Sequence, residues 1–447
     1  MTFPTGFIWG AAAASYQIEG AAFEDGKGLS VWDVFSHTPN KIWGDETGDI
    51  ACDHYHRVPQ DIALMKQIGL QAYRLSVSWA RVLPDGIGKT NPTGLDFYNR
   101  LIDTLLEANI TPHITLFHWD FPYALYTKGG WLNRDSADWF AEYTTLMVKT
   151  LGDRVKDWIT LNEPPAFALG GHEQGRLAPG DRLGDSGMMR VIHHILLAHG
   201  YSVQAIRAHS PQPTSVSLAM NIYPVVPTDT SPATIQTAHD LFWSIDYDQK
   251  RNAGLWLDPM LIGTYPDAVV QKWGDFIPMQ NGDMAKICQP LDYLGLNIYF
   301  GEYADAHGRK PAQQGHPYTM MDWLMLPESM YWGSKYMYER YRLPIVITEN
   351  GLASMDWVAV DGGVHDANRI DYMTRYLREF KRAGADNIPI NGYFYWSIMD
   401  NYEWAHGYRK RFGLIYVDYD TQIRTLKDSA YWYKDVIATN GAILDDK

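Results

Sequence analysis

Cysteine and long apolar runs are both scarce in this 447-residue sequence. The two cysteines, Cys52 and Cys288, are too few for a disulfide-based scaffold. No stretch of about 20 apolar residues is present that would form a membrane-spanning helix. The opening segment, MTFPTGFIWG, lacks the basic region and apolar core of a secretory signal. We therefore expect a soluble, cytoplasmic protein.

The sequence also lacks an excess of positive charge. Lys and Arg number 38 against 52 Asp and Glu, which gives a net charge of −14. Nucleic acids and anionic membrane surfaces are polyanions that bind basic surfaces, so neither is an expected partner. A neutral or cationic small molecule fits this charge better. The composition leaves the oligomeric state open.

Linkers, low-complexity segments and short-period repeats are absent as well. A typical domain holds about 150 residues, which would suggest three domains, but α/β barrels accommodate much longer chains. No Ser/Gly-rich tract or run of like charge separates one part of the chain from another. We therefore predict a single domain spanning residues 1–447.

Aromatic residues, in contrast, are abundant. The chain has 17 Trp and 29 Tyr, and many of them stand beside Asn, Asp, Glu or His. Aromatic faces next to polar groups suit ligands with apolar C–H faces and hydroxyl edges, as sugars have. A large core rich in aromatic residues would give the same composition. Composition alone leaves both interpretations open.

Short apolar runs rich in β-branched and aromatic residues alternate with segments of helical periodicity, such as 60–69, 95–109 and 369–384. Eight such strand–helix units predict an α/β fold, a single closed (β/α)₈ TIM barrel. A doubly wound open sheet is the competing architecture. It is disfavoured because GAAAASYQIEG follows the first strand, where a Gly-rich dinucleotide loop would stand. The predicted strands cover residues 7–12, 72–78, 113–117, 157–161, 214–219, 293–297, 345–348 and 392–396.

In such a barrel the active site lies at the C-terminal ends of the strands, and several strands contribute side chains to it. The sequence places mostly polar or aromatic residues at these ends, where other residue types would be more common by chance. This rule gives a set of candidate site residues: Gln17, Arg74, His118, Trp119, Asn162, Glu163, Asn297, Tyr299, Glu349 and Trp396.

Two of these candidates, Glu163 in TLNEPP and Glu349 in LPIVITENG, follow the same pattern. Each glutamate ends an apolar run and precedes residues that break the element. Pro164 and Pro165 supply no backbone N–H, so the strand before them cannot continue. Strands four and seven face one another over the mouth of a barrel. The two carboxylates can therefore meet over one ligand.

A pair of carboxyl groups flanking a sugar bond is the general apparatus of glycoside hydrolysis. One group donates a proton to the departing oxygen, and the other attacks or activates water. Their surroundings must therefore separate their pKa values. Arg74 would favour an ionised Glu349, while Asn162 and apolar walls would favour a protonated Glu163. Spacing alone leaves the division of roles open.

A set of longer motifs runs along the whole chain in a fixed order: FIWGAAAASYQIEGA, DHYHR, YRLSVSWARVLP, FHWDFP, TLNEP, GRLAPG, LGLNIY, ITENG and YFYWSIMDNYEWAHGYRKRFGL. The set resembles glycoside hydrolase family 1, the β-glucosidase family of retaining barrel glycosidases. The resemblance implies a catalytic barrel that releases terminal non-reducing β-D-glucosyl residues from O-glycosides or cello-oligosaccharides by double displacement. β-Galactosides and β-fucosides are further implied substrates. We expect no cofactor and no metal.

The resemblance also implies individual roles. Glu163 would be the acid/base, Glu349 the nucleophile and Trp396 the platform on which the sugar stacks. Asn297 and Tyr299 would orient Glu349. The remaining implied contacts are Arg74 beneath the nucleophile, Gln17, His118, Trp119, Asn162, Glu403 and Trp404 on the sugar hydroxyls, Phe412 at the sugar-pocket wall and Trp323 on the aglycone side.

Two residues narrow the implied substrate. Members of the family that act on 6-phosphorylated sugars usually lack the glutamate found here as Glu403, so Glu403 followed by Trp404 implies an unphosphorylated sugar. Glu163 stands where plant thioglucosidases carry Gln, which implies O-glycosides whose leaving oxygen needs a proton. Leu161 departs from the Phe that is common before NEP, a change that concerns packing more than chemistry.

Two alternative functions remain for comparison. His54 and His56 have the HxH spacing of metal-dependent barrel hydrolases, but they precede the helix before strand two instead of ending strand one. We interpret them as structural or surface histidines. The second alternative is a catalytically weak sugar-binding barrel. Such chains usually lose one of the two glutamates, and both are present here.

Overall fold

The computed structural model describes residues 2–445 and shows eight parallel strands that close into a barrel. In spatial order, β1 pairs with β8 and β2, and the remaining strands follow in chain sequence around the ring. We number the barrel strands in chain order: β1 Ile8–Ala12, β2 Ala72–Ser76, β3 Thr111–Phe117, β4 Asp157–Asn162, β5 Ser215–Asn221, β6 Leu294–Asn297, β7 Ile345–Asn350 and β8 Ile390–Trp396.

The strands form where β-branched and aromatic residues are concentrated, and they are buried almost throughout. In β7 all six residues are buried, and in β2 all five are. Burial on both faces is typical of a parallel sheet covered by helices, and it explains why these strands appear in the sequence as continuous apolar runs. The predicted strand segments all correspond to barrel strands, and the predicted (β/α)₈ fold is confirmed.

Helices surround the barrel. The three segments with predicted helical periodicity correspond to His54–Ile68, Pro92–Glu107 and Ala367–Ala385, and the first two segments extend one and two residues past the helix ends. The apolar side of Ala367–Ala385, which includes Tyr376, Leu377 and Phe380, is fully buried. The other α-helices are Ser15–Ile18, Val31–Ser36, Trp79–Val82, Tyr123–Tyr126, Ser136–Leu151, Pro164–Phe167, Asp185–His209, Pro232–Trp243, Ile245–Asp248, Ala253–Leu261, Asp267–Trp273, Asp283–Ile287, Ser329–Tyr341 and Asp428–Ala438.

Long loops and two small sheets extend the C-terminal side of the barrel. Val225–Pro227, Glu302–Asp305 and Gly308–Lys310 form a three-stranded sheet, and Ile415–Val417 pairs with Arg424–Leu426. Within residues 2–445, none of the helices combines the length and the apolar character that crossing a membrane requires.

Candidate active site

The nucleophile candidate Glu349 is held at both of its carboxylate oxygens. It is the fifth residue of β7 and is 4% exposed. Arg74 on β2 donates from Nη1 to Oε1 at 2.7 Å, and the Tyr299 hydroxyl donates to Oε2 at 2.8 Å. A carboxylate that accepts charge-assisted hydrogen bonds is fixed in position and favoured in its ionised form.

Glu163 lies immediately after β4 and in the left-handed region of backbone conformation, with φ of 49°. It forms the N-cap of a single helical turn, Pro164–Phe167. Pro164 and Pro165 end the strand, as the sequence predicts, but they also begin a helix, which the sequence analysis does not predict. The two prolines occupy the first turn, where a missing N–H costs nothing because those amides have no partner within the helix.

Asn297, the last residue of β6, links the two glutamates. Its Nδ2 donates to Glu163 Oε1 at 2.8 Å, while its Oδ1 accepts from the Thr348 hydroxyl at 2.7 Å. The same amide lies close enough to Glu349 to lower the pKa of that carboxyl. Asn297 therefore binds Glu163 directly and lies beside Glu349, whose neighbour in the chain, Thr348, donates to the same amide.

The two glutamates differ in their electrostatic surroundings. Burial and the negative charge of Glu349 raise the pKa of Glu163 to about 8, although the Glu163 carboxyl is partly exposed where it borders the cavity. Burial also raises the pKa of Glu349, but Arg74, Tyr299 and Asn297 oppose that rise. Since only Glu349 has a guanidinium in direct contact, we assign the ionised state to Glu349 and the proton to Glu163.

Asn162 fixes the tautomer of His118. Its Oδ1 accepts from Arg74 at 2.7 Å and from Asn297 at 3.0 Å, so its Nδ2 is the group that donates to His118 Nε2 at 3.0 Å. Burial and the charge of Arg74 lower the pKa of His118 well below its ordinary value, which keeps the ring neutral. The proton of His118 is therefore on Nδ1, a buried atom that has no partner within residues 2–445 and is available to a ligand.

Gln17 and Glu403 form a second polar pair. Gln17 Nε2 donates to the Tyr402 carbonyl at 2.9 Å, to Asn401 Oδ1 at 3.1 Å and to Glu403 Oε2 at 3.4 Å. Gln17 Oε1 is buried, and no group in the described part of the chain donates a hydrogen bond to it. Burial and the charge of Glu349 raise the pKa of Glu403 to about 8. Together the two side chains offer one acceptor and one carboxyl group to a hydroxylated ligand.

Aromatic rings form the walls around these polar groups. Trp396 ends β8 and stacks on His118 with ring centroids 5.6 Å apart. Trp323 lies 5.2 Å from Phe300 in a stacked arrangement and 6.2 Å from Phe412. Apolar ring faces beside polar hydrogen-bonding groups suit the alternating C–H faces and hydroxyl edges of a sugar.

The rings and polar groups enclose a cavity of about 160 Å³. Twelve of the fourteen predicted site residues line it, whereas Gln17 and Arg74 lie next to this lining and contact Glu403 and Glu349. The predicted residues on the lining are His118, Trp119, Asn162, Glu163, Asn297, Tyr299, Trp323, Glu349, Trp396, Glu403, Trp404 and Phe412.

One predicted contact differs in the structure. The Trp119 indole N–H, which the resemblance assigns to a sugar hydroxyl, donates to the Asn162 carbonyl at 3.0 Å. Its ring stacks on Trp404 with centroids 4.6 Å apart. In this structure Trp119 therefore presents ring surface to the cavity, while its N–H joins β3 to the end of β4.

Sequence reasoning missed several lining residues. Asn221 ends β5 and Tyr223 lies two residues beyond it, and the rule that selected strand ends would have found them had it been applied to this strand. Arg176 belongs to the GRLAPG motif, which was noted without a role. Met321 and His406 come from long loops whose approach to the site depends on tertiary packing, so no local pattern identifies them.

A larger surface groove of about 930 Å³ lies beside this cavity but lacks a comparable pair of carboxyl groups. Its buried acids Asp356 and Asp366 are both bound to Arg369, Asp356 at 2.7 Å. Strong ion pairing lowers the pKa of Asp356 to about 2, which suits a structural role more than proton transfer. The acid–base chemistry therefore belongs to the smaller cavity.

The HxH histidines have structural partners. His54 is buried, and its Nδ1 lies 2.7 Å from Asp61, which also binds Arg424 at 2.9 Å. His56 is exposed and contacts Asp53 at 2.6 Å. Across residues 2–445 no group of three or more His, Cys, Asp or Glu side chains is placed to hold a metal ion.

Comparison with known proteins gives the family. Residues 1–442 match the model of glycosyl hydrolase family 1. The chain is 46% identical to a 1,4-beta-D-glucan glucohydrolase of Thermotoga neapolitana, with 98% of this chain and 99% of that protein covered. It is 41% identical to a bifunctional beta-D-glucosidase/beta-D-fucosidase of Bifidobacterium breve, with 99% of each chain covered. A beta-glucosidase from Thermotoga maritima in complex with galacto-hydroximolactam has a TM-score of 0.91 and 44% identity, over 98% of this chain and 99% of that one. The chain therefore belongs to glycosyl hydrolase family 1.

Proposed function

We propose that the protein is a β-glucosidase that hydrolyses unphosphorylated O-glycosides and cello-oligosaccharides from their non-reducing ends with retention of configuration. Family membership and relatives named for β-glucosidase activity support this activity. The observation that carries the proposal is the environment of the two carboxyl groups. Glu349 is bound to a guanidinium, Glu163 has a raised pKa, and both line one cavity.

In the first step, Glu349 attacks the anomeric carbon and forms a glycosyl-enzyme, while Glu163 donates its proton to the aglycone oxygen. Arg74 and Tyr299 hold the attacking carboxylate in one orientation. In the second step, Glu163 removes a proton from water, and the water releases the sugar from Glu349. The protein is restored to its initial charge state.

The change of role of Glu163 follows from its neighbour. The negative charge of Glu349 helps to raise the pKa of Glu163 before the reaction. That charge disappears when Glu349 is esterified by the sugar, so the pKa of Glu163 falls in the intermediate. The same carboxyl group is therefore an acid in the first step and a base in the second.

The polar groups of the sugar pocket would bind the hydroxyls. His118 offers Nδ1–H, Gln17 offers Oε1, and Glu403 offers a carboxyl group. Asn162 would contact the 2-hydroxyl, a contact that strengthens in the transition state. A site that reads the 4-hydroxyl through a flexible amide and a carboxyl group accommodates both epimers, so we include β-galactosides and β-fucosides as substrates.

A chromogenic aryl β-glucoside tests the proposal directly. We expect turnover with β-glucose as the first-formed anomer in the proton NMR spectrum. α-Glucose as the first product would contradict the retaining mechanism, and absence of turnover would favour a catalytically weak sugar-binding barrel. In the Glu349→Gly variant, azide should restore turnover and give the α-glycosyl azide, because the small anion attacks from the face that the carboxylate has vacated.

A further inference from the structure

The outer part of the cavity contains a cation without an anionic partner. Arg176 lines the cavity, and its Nε donates to Gln174 Oε1 at 2.6 Å. Its two remaining guanidinium nitrogens have no hydrogen-bond partner in the part of the chain that the structure describes, and no carboxylate lies within ion-pair distance there. The planar end of Arg176 is therefore free to bind a ligand.

Further positive charge surrounds this position. Lys410 is buried and donates to the carbonyl oxygen of Met320, and Arg409 lies over the ring of Trp43 at 3.7 Å. Neither cation forms an ion pair within residues 2–445. Burial, followed by the positive charges of Lys410, Arg409 and Arg176, lowers the pKa of His406, which also lines the cavity. All three cations are therefore close enough to His406 to act on it.

Other cations near these loops are neutralised by direct partners. Lys250 binds Glu173 at 2.6 Å, and Arg251 binds Asp248 at 2.9 Å. Asp322 acts on both His406 and Lys410, and Glu403 also acts on Lys410, but neither of these carboxyl groups forms an ion pair with Arg176, Arg409 or Lys410 within residues 2–445.

The inner part of the cavity does not cancel this positive charge. Arg74 balances Glu349, and the raised pKa values of Glu163 and Glu403 favour their neutral forms near neutral pH. An anion in the outer cavity therefore meets positive charge at the rim and little repulsion from the floor. This local arrangement opposes the expectation from net charge, which favoured a neutral or cationic ligand.

We propose that the outer cavity selects β-glycosides whose aglycone carries a carboxylate, and that Arg176 binds that carboxylate. The inference rests on the proposed function, because it names the substrate class of the same site. Two adjacent N–H groups of a guanidinium match the two oxygens of a carboxylate in a bidentate pair. The occupants that fit are glucosides of aromatic carboxylic acids, whose ring contacts the aromatic wall near Trp323.

The test compares 4-carboxyphenyl β-D-glucoside with its carboxamide, which has nearly the same shape and no charge. The quantity measured is the acid ratio, defined as kcat/KM for the carboxylate divided by kcat/KM for the carboxamide. Differences in leaving-group ability cancel when acid ratios of two protein variants are compared. We expect Arg176→Gln to lower the acid ratio about five-fold, with Arg176→Lys between this variant and the unsubstituted protein.

A matched control uses Arg100→Gln, which removes an exposed arginine on the outer helix Pro92–Glu107. We expect this variant to keep the acid ratio of the unsubstituted protein. An equal fall in both variants would overturn the inference, because the effect would then reflect overall charge. An unchanged acid ratio in Arg176→Gln would also overturn it.

A binding experiment separates failure of the inference from failure of the proposed function. In the Glu349→Gln variant, calorimetry gives the Kd of both glucosides without turnover. We expect tighter binding of the carboxylate, with the preference lost when Arg176→Gln is added. Equal affinities in the presence of Arg176 would overturn the inference. Turnover of 4-nitrophenyl β-D-glucoside, which lacks the carboxylate, reports on the proposed function alone.

Discussion

Arg74 on β2 and Glu349 on β7 form a buried ion pair whose Nη1–Oε1 distance is 2.7 Å. The same guanidinium donates from Nη2 to Asn162 at 2.7 Å. One side chain therefore positions the nucleophile candidate and a residue that we propose contacts the sugar. Displacement of Arg74 would therefore disturb the ionisation of Glu349 and the orientation of Asn162.

We predict that Arg74→Lys lowers kcat/KM by about ten- to a hundred-fold, because an ammonium cannot reproduce the two diverging guanidinium contacts. Loss of the close cation raises the pKa of Glu349. Since Glu349 must be ionised to attack, the acidic limb of the pH–kcat/KM profile should move to higher pH. A profile measured from pH 4 to 9 checks this.

A matched control for this variant is Arg81→Lys. Arg81 is equally buried and binds Glu19 at 2.9 Å, but neither residue lines the cavity. Both substitutions should lower the thermal midpoint, because each weakens a buried ion pair. Only Arg74→Lys should move the acidic limb. If both variants shifted the limb alike, the direct action of Arg74 on Glu349 would be wrong.

The pKa of Glu163 should depend on the charge of Glu349. We predict that Glu349→Gln lowers it by at least about one unit, because the Glu349 charge is the largest cause of the rise after burial. Carbon-13 NMR titration of labelled glutamate carboxyls would measure the change. Glu403→Gln should lower the pKa of Glu163 less, since the charge of Glu403 raises that pKa less than the charge of Glu349 does. A larger effect from Glu403 would contradict the proposed acid-to-base change.

Removal of the acid should matter only when the leaving group needs a proton. We predict that Glu163→Ala lowers kcat/KM on alkyl or sugar β-glucosides by about 10²–10⁴-fold and spares a 2,4-dinitrophenyl β-glucoside much more. The dinitrophenolate departs without protonation. Added azide should accelerate turnover of the activated substrate and yield the β-glycosyl azide. Equal losses on both substrates would contradict the acid assignment.

The barrel could be predicted because its signals are local. Each strand is a short run of β-branched or aromatic residues between helical patterns, and burial on both faces makes each run continuous. Boundaries shifted by one or two residues at several strands, as at β7, which continues to Asn350. Barrel topology then placed Glu163 and Glu349 at the same end of the fold. Family membership, fold and enzyme class, as predicted, are confirmed.

The outer cavity could not be predicted in the same way. Arg176, Met321 and His406 lie on separate loops, and only tertiary packing brings them together. The local charge of this region likewise depends on which cations lack ion-pair partners. The sequence gives only the net charge of the whole chain. The backbone at Glu163 was missed for a related reason, because its left-handed conformation follows from the two prolines beginning a helix.

Finally, Glu403 should reduce stability at neutral and alkaline pH. Burial and the Glu349 charge raise its folded-state pKa to about 8, above the unfolded value of about 4.3. The folded protein therefore holds a proton that the unfolded chain releases, so stability is lost as pH rises from about 4 towards 8.

Glu403→Gln keeps an oxygen that can accept from Gln17 and removes the ionisation. We predict a thermal midpoint higher by about 2–4 °C at pH 8 and nearly unchanged at pH 4.5. Glu107→Gln, at an exposed helix position, is the control and should show no such gain. An equal rise at both pH values would indicate altered packing instead, because ionisation acts only where the unfolded chain has lost its proton.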